Sequence, residues 1–298
     1  MRAYVTGSSG FVGGWLSGHL RQLGDEVLKS DKDVDITDGP AIAAAIKRAR
    51  PEVVYHLAAL AHVGRSWKDP AETVRVNVTG TLNVLQAAAA CDSVPRVILV
   101  SSAEVYGSTA GDQPVRESAD LRPVTPYAAS KVGAEFLGVQ AWLGQGVPVI
   151  RVRPFNHLGP RQSADFVVSA LARRVAEAEA RGGGPVAVGN LQAARDFTDV
   201  RDVVRSYRML AETGTAGEVY NVATGTSVSI AEVAHRLCDM AGVPVELRED
   251  PELVRPVDVP VFLGDASRLR AATGWEPEIA FETTLVDVLD HWRARLSS

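Results

Sequence analysis

The segment Thr6-Gly7-Ser8-Ser9-Gly10-Phe11-Val12-Gly13 constrains this chain more than any other, because it joins an apolar run, Arg2–Thr6, to a helix pattern at 11–23. A strand entering a helix through glycines at this spacing builds a phosphate-cradling turn. Gly7 permits the tight turn, Gly10 lets the backbone approach a pyrophosphate, and Gly13 allows close helix–strand contact. The helix start, with Ser9, Phe11 and Val12 lining it, adds free N–H donors and the positive end of a dipole. Outside a strand–turn–helix setting the same glycines would be weak evidence.

The following apolar runs, Glu26–Ser30, Val53–Leu57, Arg96–Ser101 and Val147–Val152, alternate with helix patterns at 40–48, 71–91 and 126–143. Strands apolar on both faces and divided by helices predict an α/β fold, a Rossmann doubly wound parallel sheet covered on both sides. Beyond Pro154 the alternation loosens. A helix is predicted over 164–181, a strand over Pro185–Gly189, a helix over 199–213 and a strand over Glu218–Ala223. Helices at 229–241, 265–273 and 282–296 then surround a strand at 243–249. Residues 1–156 with 192–225 are expected to form the dinucleotide-binding domain, and 157–191 with 226–298 a smaller, interleaved C-terminal α/β substrate domain.

Asp31 closes the second predicted strand. A carboxylate there accepts both ribose hydroxyls of the adenosine and repels a 2′-phosphate, which favours NAD(H), although Ser30 and Lys32 soften that repulsion. Asp35 and Ile36 are placed to bracket the adenine.

Pro126-Tyr127-Ala128-Ala129-Ser130-Lys131 carries Tyr-x-x-x-Lys, and on a helix positions i and i+4 share a face. A free phenol titrates near ~10. The Lys131 ammonium and a positive nicotinamide ring both stabilise phenolate, so the Tyr127 pKa is expected to be drawn down toward the working range. Tyr127 then exchanges a proton with a carbonyl or alcohol oxygen as hydride moves. An amphipathic surface pair has the same spacing. The added weight comes from Ser101-Ser102-Ala103-Glu104-Val105-Tyr106-Gly107 at the end of a predicted strand, where open parallel sheets bind ligands. There the Ser102 hydroxyl can hydrogen-bond the reacting oxygen.

Together these segments resemble the extended short-chain dehydrogenase/reductases acting on nucleotide sugars, across nearly the whole chain. The matching residues are Gly7, Gly10, Gly13, Asp31, HLAA at 56–59, Asn77, SSAEVYG, YAASK and RPFNHLGP at 153–160. The resemblance implies Ser102, Tyr127 and Lys131 as the catalytic triad, with Lys131 also holding the nicotinamide ribose. It adds Leu57, Ala58, Ala59, Asn77, Ser101 and Pro154 to the cofactor site. Asn156 matches the family residue that contacts the diphosphate of the sugar nucleotide, and Glu104 is expected at the substrate.

Val188-Gly189-Asn190-Leu191 with Arg195-Asp196-Phe197, and Arg255-Pro256-Val257-Asp258, resemble the nucleotide-clasping segments of GDP-mannose 4,6-dehydratases and their partner reductases. By that match Asn190 lies at the nucleotide, Arg195 and Arg255 neutralise the diphosphate, and Asp258 accepts ribose hydroxyls. One departure bears on the reaction. Dehydratases carry a proton-donating residue where this chain has Ala103, so water elimination loses its acid while ketone reduction loses nothing. The resemblance therefore implies NAD(P)H-dependent reduction of the C4 ketone of a GDP- or dTDP-linked 4-keto-6-deoxyhexose, as in reductases of GDP-4-keto-6-deoxymannose. A 4-epimerase retaining NAD, a 4,6-dehydratase and a non-catalytic dinucleotide sensor are the alternatives.

Composition closes off other classes. The formal charge of −5 offers no basic footprint to nucleic acid or an anionic membrane. Cys91 and Cys238 cannot build a disulfide framework, and the six histidines show no paired metal-ligand spacing, so no metal is expected. No apolar stretch approaches the ~20 residues of a membrane span. The opening MRAYVTGSSG runs into a strand with no basic-then-apolar leader, so a cytoplasmic protein is expected. The Ala-rich stretches 82–91 and 126–136 suit the packing of a homodimer.

Overall fold

The computed structural model describes residues 1–30, 34–109, 113–253 and 259–297. Strands β1 (Arg2–Thr6), β2 (Glu26–Ser30), β3 (Val53–His56), β4 (Arg96–Val100) and β5 (Val149–Pro154) alternate with helices. These are α1 (Phe11–Gln22), α2 (Gly39–Ala49), α3 (Val63–Lys68), α4 (Pro70–Val74), α5 (Gly80–Ala89) and α6 (Pro126–Gln145). The second half runs β6 (Asn156–Leu158), α7 (Val167–Ala180), β7 (Gly184–Val188), β8 (Ala194–Asp199), α8 (Val200–Thr213), β9 (Val219–Val222) and β10 (Ser227–Ser229). It closes with α9 (Ile230–Asp239), β11 (Val245–Glu249), β12 (Val261–Phe262), α10 (Ser267–Thr273) and α11 (Phe281–Leu296).

Six parallel strands form the main sheet in the order β2-β1-β3-β4-β5-β9. The order reverses between β1 and β3, and in open α/β sheets that switch point opens a crevice at the carboxyl ends of the strands. Two apolar layers cover the sheet. Leu16, Leu20, Val203, Tyr207 and Leu210 of α1 and α8 lie on one face, and Ile42, Ile46, Val84 and Leu85 of α2 and α5 on the other. β3 is buried along its whole length, which is why Val53-Val54-Tyr55 reads as an apolar run ahead of His56. α8 buries Val200, Val203, Val204, Tyr207, Leu210 and Ala211, a single stripe at helical spacing.

The second lobe has its own core, in which Val168, Leu171, Val175, Val233, Leu237, Leu285 and Leu289 pack together. β8 pairs with β10, β12 and β6, and β7 pairs with β11. Sequence patterning shows no strand at β8, because buried Arg195, Asp196 and Asp199 interrupt its apolar alternation. β8 pairs with none of the six strands of the main sheet. The helix expected over 71–91 is also divided. α4 gives way to a π-helical turn at Arg75–Thr79 before α5 resumes, and that turn buries Asn77.

Candidate active site

The glycine turn is dictated by contact distances. Gly7 sits at φ +70, and a Cβ there would lie 2.9 Å from Ala58 N, so a side chain is excluded twice over. A Cβ on Gly13 would lie 2.1 Å from Gly7 O, so the start of α1 touches the turn there and leaves no room for a side chain. Gly10 is the N-cap of α1 and provides no side-chain cap. The first-turn amides of Phe11, Val12 and Gly13 are thus left for an anionic ligand. Ser9 and Gly10 are exposed, and Phe11 and Val12 half-buried. Leu57, Ala58 and Ala59 form the facing loop after β3, across the switch point. Ser101 Oγ, at the end of β4, is buried without a hydrogen-bond partner among the described residues. These features fit a nicotinamide dinucleotide. Asp35 is exposed and accepts Thr37 N and Thr37 Oγ1, each at 2.8 Å, while Ile36 is buried. Asp31 lies outside the described residues.

Tyr127 and Lys131 occupy the first turns of α6, both buried. Ser102 lies near enough to the phenol to act on it electrostatically. Lys131 Nζ donates to Val100 O at 2.9 Å, pinning the ammonium to the end of β4. Burial lowers the Lys131 pKa to about 8 against the opposing charge of Glu135. The groups of the protein itself act on Tyr127 in the other direction. Burial pushes the phenol up to about 12, while neighbouring Ser102 pulls it down and the Glu104 carboxylate pushes it up. Desolvation outweighs the attraction expected from the helical spacing, so the phenol keeps its proton at neutral pH. Ala103 is buried beside Val105 and Tyr106 and is packed rather than polar.

A hydrogen-bonded chain ties the glycine turn to α6. Leu57 N–H and Ala58 N–H donate to Thr6 Oγ1, each at 3.2 Å. Thr6 Oγ1 is 2.9 Å from His56 Nδ1, and His56 Nε2 is 2.9 Å from Thr81 Oγ1, which donates to Asn77 O at 2.6 Å. Since Thr81 donates onward, it accepts from His56 Nε2–H, and Nδ1 accepts the Thr6 hydroxyl. His56 is therefore neutral; burial, aided by the Lys131 charge, lowers its pKa to about 3. The Asn77 amide is spent inside the protein: it accepts Leu60 N–H at 2.8 Å and donates to Leu60 O at 3.1 Å and Ser130 Oγ at 2.9 Å. Its geometry holds the loop after β3 against α6.

Pro154 ends β5 opposite Val222, and Asn156 opens β6 opposite Phe197, half-buried at the same sheet end. Asn190 is exposed and accepts Gln192 N–H at 3.0 Å. Arg195 donates to Ala194 O at 2.8 Å, with its guanidinium 5.5 Å from the Phe262 ring. Arg255 and Asp258 lie outside the described residues. Asp196 is the unexpected member of that signature: fully buried, it accepts Thr224 N, Thr224 Oγ1, Gly225 N and Gly264 N and so knits three segments together. His157 was also missed, although it stands within RPFNHLGP. Its ring stacks on Phe11 at 6.3 Å, and its Nδ1–H donates to Phe155 O.

Behind the site, Arg153 donates to Glu135 Oε1 at 2.9 Å and Oε2 at 2.7 Å, and to Tyr106 OH at 2.9 Å. Tyr106 OH donates in turn to Asn221 Oδ1 at 2.7 Å. The Tyr of SSAEVYG and the Arg of RPFNHLGP thus lock β5, β9 and α6 together. No group of His, Cys, Asp and Glu among the described residues could hold a metal ion. No helix among them is long and apolar enough to cross a membrane.

A parallel sheet in this order, a glycine turn at its switch point and a Ser–Tyr–Lys group at its carboxyl end define an extended short-chain dehydrogenase/reductase scaffold. Residues 4–288 match the family model described as GDP-mannose 4,6 dehydratase, and the chain belongs to that family. It is 36% identical over 299 residues to the GDP-6-deoxy-D-mannose reductase of Pseudomonas aeruginosa, covering 99% of this chain and 98% of that relative. The structure of RMD from Pseudomonas aeruginosa complexed with NADPH is similar at a TM-score of 0.92 and 35% identity, over 98% of this chain and 99% of that one. The UDP-glucose 4-epimerase of Thermus thermophilus, complexed with NAD, is similar at a TM-score of 0.88 and 29% identity, over 98% and 99% of the two chains.

Proposed function

We propose that this chain reduces the C4 ketone of a GDP-linked 4-keto-6-deoxyhexose, with NAD(H) or NADP(H) as cofactor and Tyr127 as the acid. The observation that carries this reading is the buried Tyr127 phenol one helical turn from Lys131, whose ammonium is pinned to Val100 O at the end of β4, with buried Ala103 in the place where an elimination would need a second proton donor. A phenol is protonated at neutral pH and so has a proton to give, which suits reduction of a ketone. The bound dinucleotide supplies the hydride. Ser102 hydrogen-bonds the ketone oxygen, Tyr127 Oη passes its proton to that oxygen as C4 is reduced, and Lys131 holds the nicotinamide ribose. Asn156, Arg195 and Arg255 take the diphosphate, Asp258 the ribose hydroxyls, Asn190 the rest of the nucleotide and Glu104 the sugar. The similarity to a GDP-6-deoxy-D-mannose reductase and to an NADPH complex supports the choice of sugar and cofactor.

Purified protein given GDP-4-keto-6-deoxymannose should oxidise NADPH or NADH stoichiometrically, and Tyr127→Phe should lose at least about 100-fold in kcat while staying folded. Turnover without net cofactor oxidation would instead indicate an epimerase, and normal turnover in the Phe variant would remove Tyr127 from the chemistry. We also assign the chain to the cytoplasm and infer a homodimer, the dimer being supported by exposed Val74, Phe136 and Leu143 on α4 and α6. A monomer mass by light scattering would overturn the dimer.

A further inference from the structure

The backbone of Tyr127 is held from outside its own helix. In the first turn of α6, Pro126 has no N–H, Ala128 N–H donates to Thr125 Oγ1 at 3.1 Å, and Ala129 N–H donates to Thr125 O at 3.0 Å. That leaves the N–H of Tyr127 itself, which donates to Ser66 Oγ on α3 at 3.2 Å. The Ser66 hydroxyl proton is committed to Val63 O at 2.7 Å, so its lone pairs face Tyr127 and the direction of the bond is fixed. Ser66 is 2% exposed and Tyr127 7%, so water is a poor substitute acceptor. On the other side of the residue, Tyr127 O accepts Ser130 Oγ–H at 2.6 Å.

Helix α3 is itself fixed between the two lobes. His62, at its N-cap, has its ring 6.3 Å from that of Phe166. Arg65 lies 3.6 Å from Asp165 in the same segment leading into α7. A six-residue helix with these contacts at one end and Ser66 at Tyr127 places the phenol relative to both lobes.

We infer that Ser66 is a positioning residue for the reaction: its hydroxyl holds the Tyr127 N–H and thereby sets where the phenol stands over the reacting oxygen. The inference rests on Tyr127 being the acid. Removing the acceptor leaves a buried N–H unsatisfied, and the first turn of α6 shifts to find another partner. A displacement approaching 1 Å costs on the order of 100-fold in rate where geometry sets the chemistry. Ser66 makes no hydrogen bond to the glycine turn or to Leu57, Ala58 or Ala59, so cofactor affinity should be spared.

The test uses the full chain with NADPH and GDP-4-keto-6-deoxymannose, comparing wild type with Ser66→Ala, Ser66→Thr and Tyr127→Phe. Ser66→Ala should lower kcat by about 10- to 100-fold while the NADPH Kd, read by nucleotide fluorescence, stays within about twofold. Ser66→Thr keeps the acceptor and should recover kcat to within about threefold of wild type. If Ser66→Ala does not fold, Ser66→Cys, a weaker and longer acceptor, takes its place with the same expectation. Wild-type kcat in the variant lacking the hydroxyl overturns the inference, as does a kcat loss matched by an equal loss of NADPH binding. Tyr127→Phe separates the two readings. Full turnover in that variant removes the acid role itself, whereas inactive Tyr127→Phe beside fully active Ser66→Ala sinks only the positioning role.

Discussion

Replacing His56 by Gln should change the acid stability of this protein in a direction that the burial of the ring determines. In the folded chain His56 bridges Thr6 and Thr81 as a neutral ring, and burial lowers its pKa from 6.5 to about 3. The unfolded chain takes up a proton below about pH 6.5, while the folded chain refuses it until about pH 3. The unfolded state thus binds more protons across that window, and stability falls as pH falls. Each pH unit is worth ~1.4 kcal/mol. Two units below 6.5, near pH 4.5, this one ring has cost on the order of 3 kcal/mol.

Gln can donate and accept but cannot charge. Near pH 7 it should cost about 1–3 kcal/mol through poorer hydrogen bonding. Near pH 4.5 that deficit should shrink by on the order of 3 kcal/mol, or reverse, because only the wild type carries the penalty. Urea unfolding followed by the fluorescence of the five tryptophans measures both proteins at both pH values. Taking the difference between them cancels the other titrating groups. An unchanged difference at the two pH values would refute the buried neutral ring and the hydrogen-bond directions built on it.

Gly13→Ala places a Cβ 2.1 Å from Gly7 O, so it should abolish dinucleotide binding in a fluorescence titration, whereas Gly18→Ala on the same helix, with open space around it, should bind normally. Glu135→Ala strands the Arg153 guanidinium in a site where both partners are almost fully buried, and should lower stability by about 3–5 kcal/mol in urea unfolding. A loss below about 1 kcal/mol would mean that Arg153 is satisfied without it.

Both the glycine turn and the Tyr-x-x-x-Lys pair are legible in the chain because their physics is local. A positive φ, a strand entering a helix and an i to i+4 spacing involve only residues adjacent in sequence, so Gly7, Gly13, Tyr127 and Lys131 could be read directly. The parallel sheet was legible for a similar reason: strands buried on both faces are mostly apolar, as in Val53-Val54-Tyr55 of β3.

What folding alone decided concerns partners distant in sequence and removal from water. Ser66 meets Tyr127 from 61 positions away, and Glu135 meets Arg153 across a helix and a strand. Nothing in the spacing of those residues announces either contact. β8 escaped detection because its buried charges are neutralised by partners that only the fold brings near, Asp196 by the amides of residues 224, 225 and 264. The sign of the Tyr127 shift belongs to the same class. Spacing shows that an ammonium is near, but how far burial strips water from the phenol depends on every segment closing over it, and here that desolvation prevails.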